Sequence, residues 1–319
     1  MKTLSSADRM SLLEQLLRRS LPWFARQQMP TGEFVCYCQD DGSRWPCVCP
    51  LLSALALEAL DCLDPRSEHF HERLFDLIPA PDRPHSRVLI ATLRWRLQLH
   101  LAAQQSAGGE WRLYGRDGTS DYDLATSACA FIQHLNRTMQ TRHDYTGIAV
   151  RLAQRSPSGC ADALGLLFLH RLLHLAGERT AELPMEVFDA ISNAADPLLP
   201  AWAIAQAHRQ GAILCDANQL RILLAIASRH LNRQGHFSGR LNRAFGITLF
   251  NVCSEGEPIQ ESAVDHAIDE LLRDPEPPWR WAHEPILAGI GSAPVTLILI
   301  LRSLAQAILM PKMPEMSAC

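Results

Sequence analysis

The sequence predicts an all-α protein, an α/α toroid: a double-shell barrel of about six helical hairpins closed around an apolar cavity. Three observations predict it. Apolar residues recur at helical spacing in segment after segment, whereas runs that alternate apolar and polar residues are almost absent. About twelve helical segments follow one another between Pro, Gly, Asp and Asn boundaries, enough for six hairpins. Finally, segments that are apolar nearly all round, such as Leu51–Leu60, Ala163–Leu169 and Pro294–Leu301, recur among amphipathic ones, as inner helices do under an outer shell.

In chain order, the boundaries place helices near residues 6–28, 50–63, 86–105, 121–137, 144–155, 160–177, 184–195, 198–210, 216–232, 239–253, 259–273 and 291–310. The Pro-rich connections Asp64–Pro84 and Asp274–Pro285 are too short to separate domains, so residues 1–319 read as a single α/α-barrel domain, with 311–319 as a loose C-terminal tail. Between helices, a degenerate repeat pairs a turn glycine with an aromatic: Gly32-Glu33-Phe34, Gly109-Glu110-Trp111 and Gly235-His236-Phe237. Trp279-Arg280-Trp281 is a fourth element without the glycine. The glycine allows a tight exit from an outer helix, and the aromatic plugs the gap to the next hairpin.

Composition narrows the function classes. Apolar residues make up 47% of 319, ample for a large core. Thirty basic against 34 acidic residues leave a charge of −4, and no Lys/Arg run is dense enough for a phosphate-binding face, which excludes nucleic acid as the expected partner. Met1–Arg9 lacks the order of a signal peptide, and Arg302 and Gln306 interrupt the most apolar stretch, Ala293–Met310. A cytoplasmic protein without a membrane span is expected. Its ten cysteines then suggest reduced thiols or a metal site more than a disulfide frame. No Walker loop, dinucleotide fingerprint, H-E-x-x-H or G-x-S-x-G elbow occurs.

Three constellations carry candidate chemistry. Asp121 and Asp123 open an apolar helix, where free N–H groups favour carboxylates. One can cap the helix while the other faces the lumen; in a dry site Asp123 is a candidate general acid. Cys36-Tyr37-Cys38 and Cys47-Val48-Cys49 put four thiols on a short loop, alternation placing both sulfurs of each element on one side. Four thiols suit a tetrahedral zinc, a redox-labile pair or plain buried packing. His170, His174 and Glu178 follow at four-residue steps, as ligands of a divalent metal or as the polar end of a helix. Tyr122, Trp111, Tyr114, Trp45 and Phe34 are candidate substrate contacts or core fillers.

Gly109-Glu110-Trp111 followed by Ser120-Asp121-Tyr122-Asp123-Leu124-Ala125-Thr126-Ser127-Ala128 resembles the squalene–hopene cyclase and prenyltransferase repeat superfamily, in which a G-x-W turn leads to an Asp-x-Asp-Asp-Thr-Ala motif opening an inner helix. Gly32 to Tyr37 with Val48-Cys49-Pro50, and Gly291-Ser292 with Thr296, are similar to the first and last repeats of the short single-barrel bacterial members. The resemblance implies an α/α toroid that binds an isoprenoid or other long apolar substrate and, in catalytic relatives, cyclises it by protonation, as class II-type terpene cyclases (isomerases or lyases) do. Asp123 matches the proton donor and Asp121 the first acid, but Leu124 stands at the last acid. Two rivals remain open: a non-catalytic module on the same scaffold holding a lipid or a partner protein, and a metal-dependent enzyme using Cys36, Cys38, Cys47 and Cys49.

Overall fold

The computed structural model describes residues 3–40, 43–63, 72–106, 109–115, 123–135, 163–254, 258–274, 284–287 and 289–309. The expected helix near 144–155, the Trp279–Trp281 element and the 311–319 tail lie outside them. Among the described residues there are twelve α-helices. Those fully or nearly fully buried are α2 (Pro50–Leu60), α5 (Leu124–Leu135), α6 (Ala163–Leu175), α8 (Leu198–Arg209), α10 (Arg240–Cys253) and α12 (Ala293–Leu309). Every residue of α2 is buried, as is every residue from Ala293 to Gln306. The amphipathic helices are α1 (Ser6–Gln27), α4 (Arg83–Gln104), α7 (Met185–Ser192), α9 (Ala217–Arg229) and α11 (Pro258–Leu272), with the one-turn α3 (Glu72–Asp76) between α2 and α4. In α9 the buried set is Gln219, Leu223, Ile226 and Ala227, one stripe at helical spacing.

The buried helices pack in a closed circuit: α2 on α5, α5 on α6, α6 on α8, α8 on α10, α10 on α12, and α12 back on α2. Around them α1 touches α4 and α11, and α9 touches α7. That is a double-shell toroid. The inner helices run in parallel, since Trp202 meets Phe245, Gln206 meets Thr248 and Thr248 meets Ser303 at matching depths. The ring therefore has an N-terminal mouth, built by loops that lead into inner helices, and a C-terminal mouth.

The glycine–aromatic repeat is a physical unit. In all three copies the glycine is left-handed, at φ 105° for Gly32, 89° for Gly109 and 78° for Gly235. Each copy closes with the same two backbone bonds: Gly32 N–H to Met29 O and Met29 N–H to Glu33 O, Gly109 N–H to Ser106 O and Ser106 N–H to Glu110 O, Gly235 N–H to Asn232 O and Asn232 N–H to His236 O. The following aromatics, Phe34, Trp111 and Phe237, are buried. Phe237 lies so close over Gly246 of α10 that a Cβ there would stand 2.2 Å from its ring.

Two features depart from the sequence reading. A small three-stranded sheet sits at the N-terminal mouth: β1 (Cys36–Asp40) pairs antiparallel with β2 (Ser43–Cys47) and, on its other edge, with β3 (Ile290–Gly291). The strands are too short for period-two alternation to register. Moreover, the ring's interior is not purely apolar. Arg171 of α6 pairs with Glu58 of α2 at 3.2 Å across the lumen side of α5, whose Gln133 donates to the same carboxylate at 3.4 Å. On the far side, Gln206 of α8 and Gln306 of α12 bond each other at 2.7 Å past α10. Single polar residues in otherwise apolar helices meet across the ring, each satisfying another.

The close approach at Gly32, where a Cβ would meet the Arg96 carbonyl oxygen at 2.3 Å, separates it from Gly235, which has nothing within 4 Å. Gly32→Ala is expected to destabilise the fold by about 3 kcal/mol or more, and Gly235→Ala by only the left-handed strain of about 1 kcal/mol. Urea unfolding of the two variants measures the difference, and equal losses would contradict the packing described.

Candidate functional site

A pocket of about 690 Å³ opens at the N-terminal mouth. One wall is the β1–β2 hairpin. Pairing sets Cys36 opposite Cys47 and Cys38 opposite Trp45, so these four side chains share one face of the hairpin and all line the pocket. The glycine–aromatic turn after α1 supplies Glu33, Phe34 and Val35, and the opposite side is Gln104 and Tyr114. Tyr114 is placed by Gly115, which packs so tightly on Val48 and Gln104 that a Cβ would stand 2.7 Å from the Gln104 side-chain oxygen. Phe34 is buried, packed on Phe24 with ring centres 6.1 Å apart, whereas Trp45 and Tyr114 are 44% and 40% exposed. Two large aromatics held half in solvent beside apolar walls mark a surface built for contact.

The sequence-selected residues divide on this geometry. Phe34, Trp45, Tyr114, Cys36, Cys38 and Cys47 meet in the one pocket. Trp111 does not line it. That indole is in the core, edge-on to Phe131 at 4.9 Å and donating its Nε1–H to Leu101 O at 2.7 Å. Asp123 is half-buried and caps α5: Oδ2 accepts the Thr126 N–H at 2.7 Å, and its own N–H bonds Trp111 O at 3.4 Å. Ser127 ties turn and helix together, its Oγ accepting from Trp111 N–H and donating to Trp111 O. Asp121 and Tyr122 lie outside the described residues.

The thiols are packed rather than poised. Burial above all pushes Cys36 and Cys47 well up, Cys47 also bonding Cys38. Cys49, at the start of α2, is pushed up to about 12 by burial, with the charges of Asp123 and Cys38 adding to it. All four thiols are free, and among the described residues no three His, Cys, Asp or Glu side chains converge closely enough to hold a metal ion. The four-residue ladder His170, His174, Glu178 is broken, because α6 ends at Leu175 and Gly177 turns left-handed at φ 79°. His174 Nδ1 instead meets the Arg179 carbonyl at 3.0 Å, and buried His170 is held below its ordinary value by desolvation.

One pair in the site escaped the sequence reading. Glu33, buried at the pocket's edge, lies 3.0 Å from Nδ1 of fully buried His100 on α4. Burial works to raise the carboxyl, but bonds from His100 and Thr31 outweigh it and bring Glu33 down to about 2. Nothing in the sequence joins positions 33 and 100; only the packing of the turn on α4 does.

No protein-family model matches the chain, and no curated protein matches it. Among solved structures, two variants of the type II terpene cyclase MstE from Scytonema, each in complex with geranylgeranyl dihydroxybenzoate, align over 95% of this chain and 99% of theirs at 12% identity, with TM-scores of 0.45 and 0.39.

The Glu33 carboxyl is lower folded than unfolded, so its stabilisation is complete above its ordinary value near 4.5 and is lost as pH falls through about 2. Glu33→Gln is expected to cost about 3 kcal/mol at neutral pH and to flatten the loss of stability across that acid window. Denaturant titrations at several pH values measure both; an unchanged acid slope in the variant would refute the assignment.

Proposed function

We propose that the protein binds a long, uncharged apolar ligand of isoprenoid type at the N-terminal mouth of the ring, with Phe34, Trp45 and Tyr114 as its aromatic contacts. The observation that carries this is the convergence of those three rings on a single pocket whose remaining walls are thiols, Met29, Val35, Pro46 and Val48, with Gln104 and Glu33 as its polar members. No Lys or Arg is among the described residues that line it, and its carboxylate, Glu33, is already engaged by His100. Such a lining suits a neutral chain and offers no cation to a phosphate. The volume falls within the range of small-molecule sites.

The resemblance of the Gly109–Ala128 segment extends the proposal to cyclisation, with Asp123 protonating an alkene or epoxide and the aromatic faces stabilising the resulting cation. The specific support is position: Asp123 opens the inner helix α5, where the superfamily places its acid. The cap to Thr126 supports the alternative, ligand binding without turnover. In either reading the pocket and its aromatics are the same.

Calorimetric titration with a polyprenyl alcohol is expected to give saturable binding by the wild type, with Trp45→Ala and Tyr114→Ala each weakening it about tenfold. No saturable binding in the wild type would overturn the proposal. Product analysis after incubation with polyprenyl substrates then compares wild type and Asp123→Asn: turnover lost in the variant supports the acid role, equal turnover removes it, and binding with no product in either leaves a carrier.

A further inference from the structure

The interior of the ring carries a second, chemically different feature. Arg302 lies mid-way along α12 and is 3% exposed. Among the described residues no carboxylate lies within ion-pair distance of it and its guanidinium donates no hydrogen bond; it stands over the face of Trp202 on α8, 5.9 Å away across the lumen. Trp202 is itself buried, and its Nε1–H has no acceptor. Asp61, just beyond the end of α2, is held by Arg94. A lone buried cation costs several kcal/mol even after relaxation, and a buried indole N–H without an acceptor adds about 1–3 kcal/mol. Two such donors side by side is an arrangement that an acceptor of negative charge would relieve.

The surroundings point the same way. One turn toward the mouth from Arg302 is Gln306, and one turn from Trp202 is Gln206, the two amides that bond each other across the ring. A turn further on α8 comes Arg209, whose guanidinium is held below its ordinary value by burial and then by the charge of Arg302. Two cations thus sense one another inside a shell of neutral amides. Arg209 and Gln306 also line a pocket of about 290 Å³ at this mouth, together with Arg9 and the carboxylates Glu261 and Asp265, while Arg302 and Trp202 lie deeper, behind the Gln206–Gln306 pair.

We infer that the interior of the toroid, inward of the Gln206–Gln306 bridge, binds a small oxyanion, a carboxylate or phosphate group, through the guanidinium of Arg302 and the indole N–H of Trp202, the two glutamines parting to admit it. The fork of a guanidinium presents parallel N–H groups to two oxygens of one anion, and the indole adds a third donor from the opposite helix. The site lies inside the ring, apart from the aromatic pocket, and stands independently of that pocket's function.

The test is thermal unfolding of the full-length protein in chloride, with acetate or inorganic phosphate replacing chloride at constant ionic strength. The wild type is expected to gain about 2 °C or more, saturably, at ten times the dissociation constant of the bound anion. The anion with the lower midpoint identifies carboxylate or phosphate as the group recognised. Trp202→Phe should shift that midpoint about threefold upward. Arg302→Met should abolish the response while melting no lower than wild type in chloride alone, since it removes an unpaired buried charge. No saturable response to either anion in the wild type, or an Arg302→Met response equal to wild type, would overturn the inference. Should Arg302→Met fail to fold, Trp202→Phe decides: a weakened midpoint supports the site and an unchanged one refutes it.

Discussion

Closure of the ring by α12 is the constraint from which the other features follow. A helical hairpin cannot bury its own apolar face; it needs a neighbour on each side, and in a toroid the first and last hairpins must serve one another. Here α12 packs against α10 on one side and α2 on the other, with α1 behind it. Two devices reinforce that seam. At the N-terminal mouth, β3 immediately before α12 adds to β1, and Ser292 Oγ donates to Val35 O at 2.8 Å. On the outer shell, Arg9 of α1 holds Asp265 and Asp269 of α11 at 2.7 and 2.8 Å, with Asp269 also taking the Leu4 N–H. The candidate pocket exists because of this seam: the strand that closes the ring is the strand that shapes the hairpin bearing Cys36, Cys38 and Trp45.

The parts of the architecture that were legible were those written in local chemistry. Inner helices announce themselves because a helix dry on every side must be apolar on every side, as α2 and α12 are. The turns were legible because only glycine accepts the left-handed backbone that the exit from an outer helix requires, and because a large aromatic must then fill the gap. The hairpin was opaque: Cys36–Asp40 and Ser43–Cys47 are five residues each, one containing Pro46, and their pairing is fixed by the distant segment Ile290–Gly291. His170, His174 and Glu178 show the converse error, a periodic pattern extended past the residue where the helix stops.

Site chemistry was legible only where the residue type itself carried the signal. Phe34, Trp45 and Tyr114 could be named because aromatics at loop positions have few reasons to be there, yet Trp111, from the same reasoning, anchors the core through Leu101. Glu33 was hidden inside a repeat valued for its glycine and aromatic, and its partner His100 arrives from another helix. Arg302 was read as an interruption in an apolar run and Glu58 passed within a segment read as apolar nearly all round, when their meaning lies in which helix stands across the ring.

That polar belt changes how the fold can be used. Were the lumen a continuous apolar hollow, a long ligand could lie along the axis, and either mouth would serve as its entrance. With Glu58 and Arg171 bridging one side of the ring and the Gln206–Gln306 pair the other, an apolar chain driven inward would have to desolvate or break bonds in a low-dielectric interior, at several kcal/mol for the ion pair alone. The favourable place for greasy contact is therefore outside the belt, where Trp45 and Tyr114 remain half exposed and the thiols supply soft, uncharged walls. The same belt gives the interior behind it a different character, since Arg302, one turn inward of Gln306 and faced with an indole rather than a carboxylate, is suited to charge and not to hydrocarbon. One closed ring thus separates two chemistries by the polarity of what spans its centre.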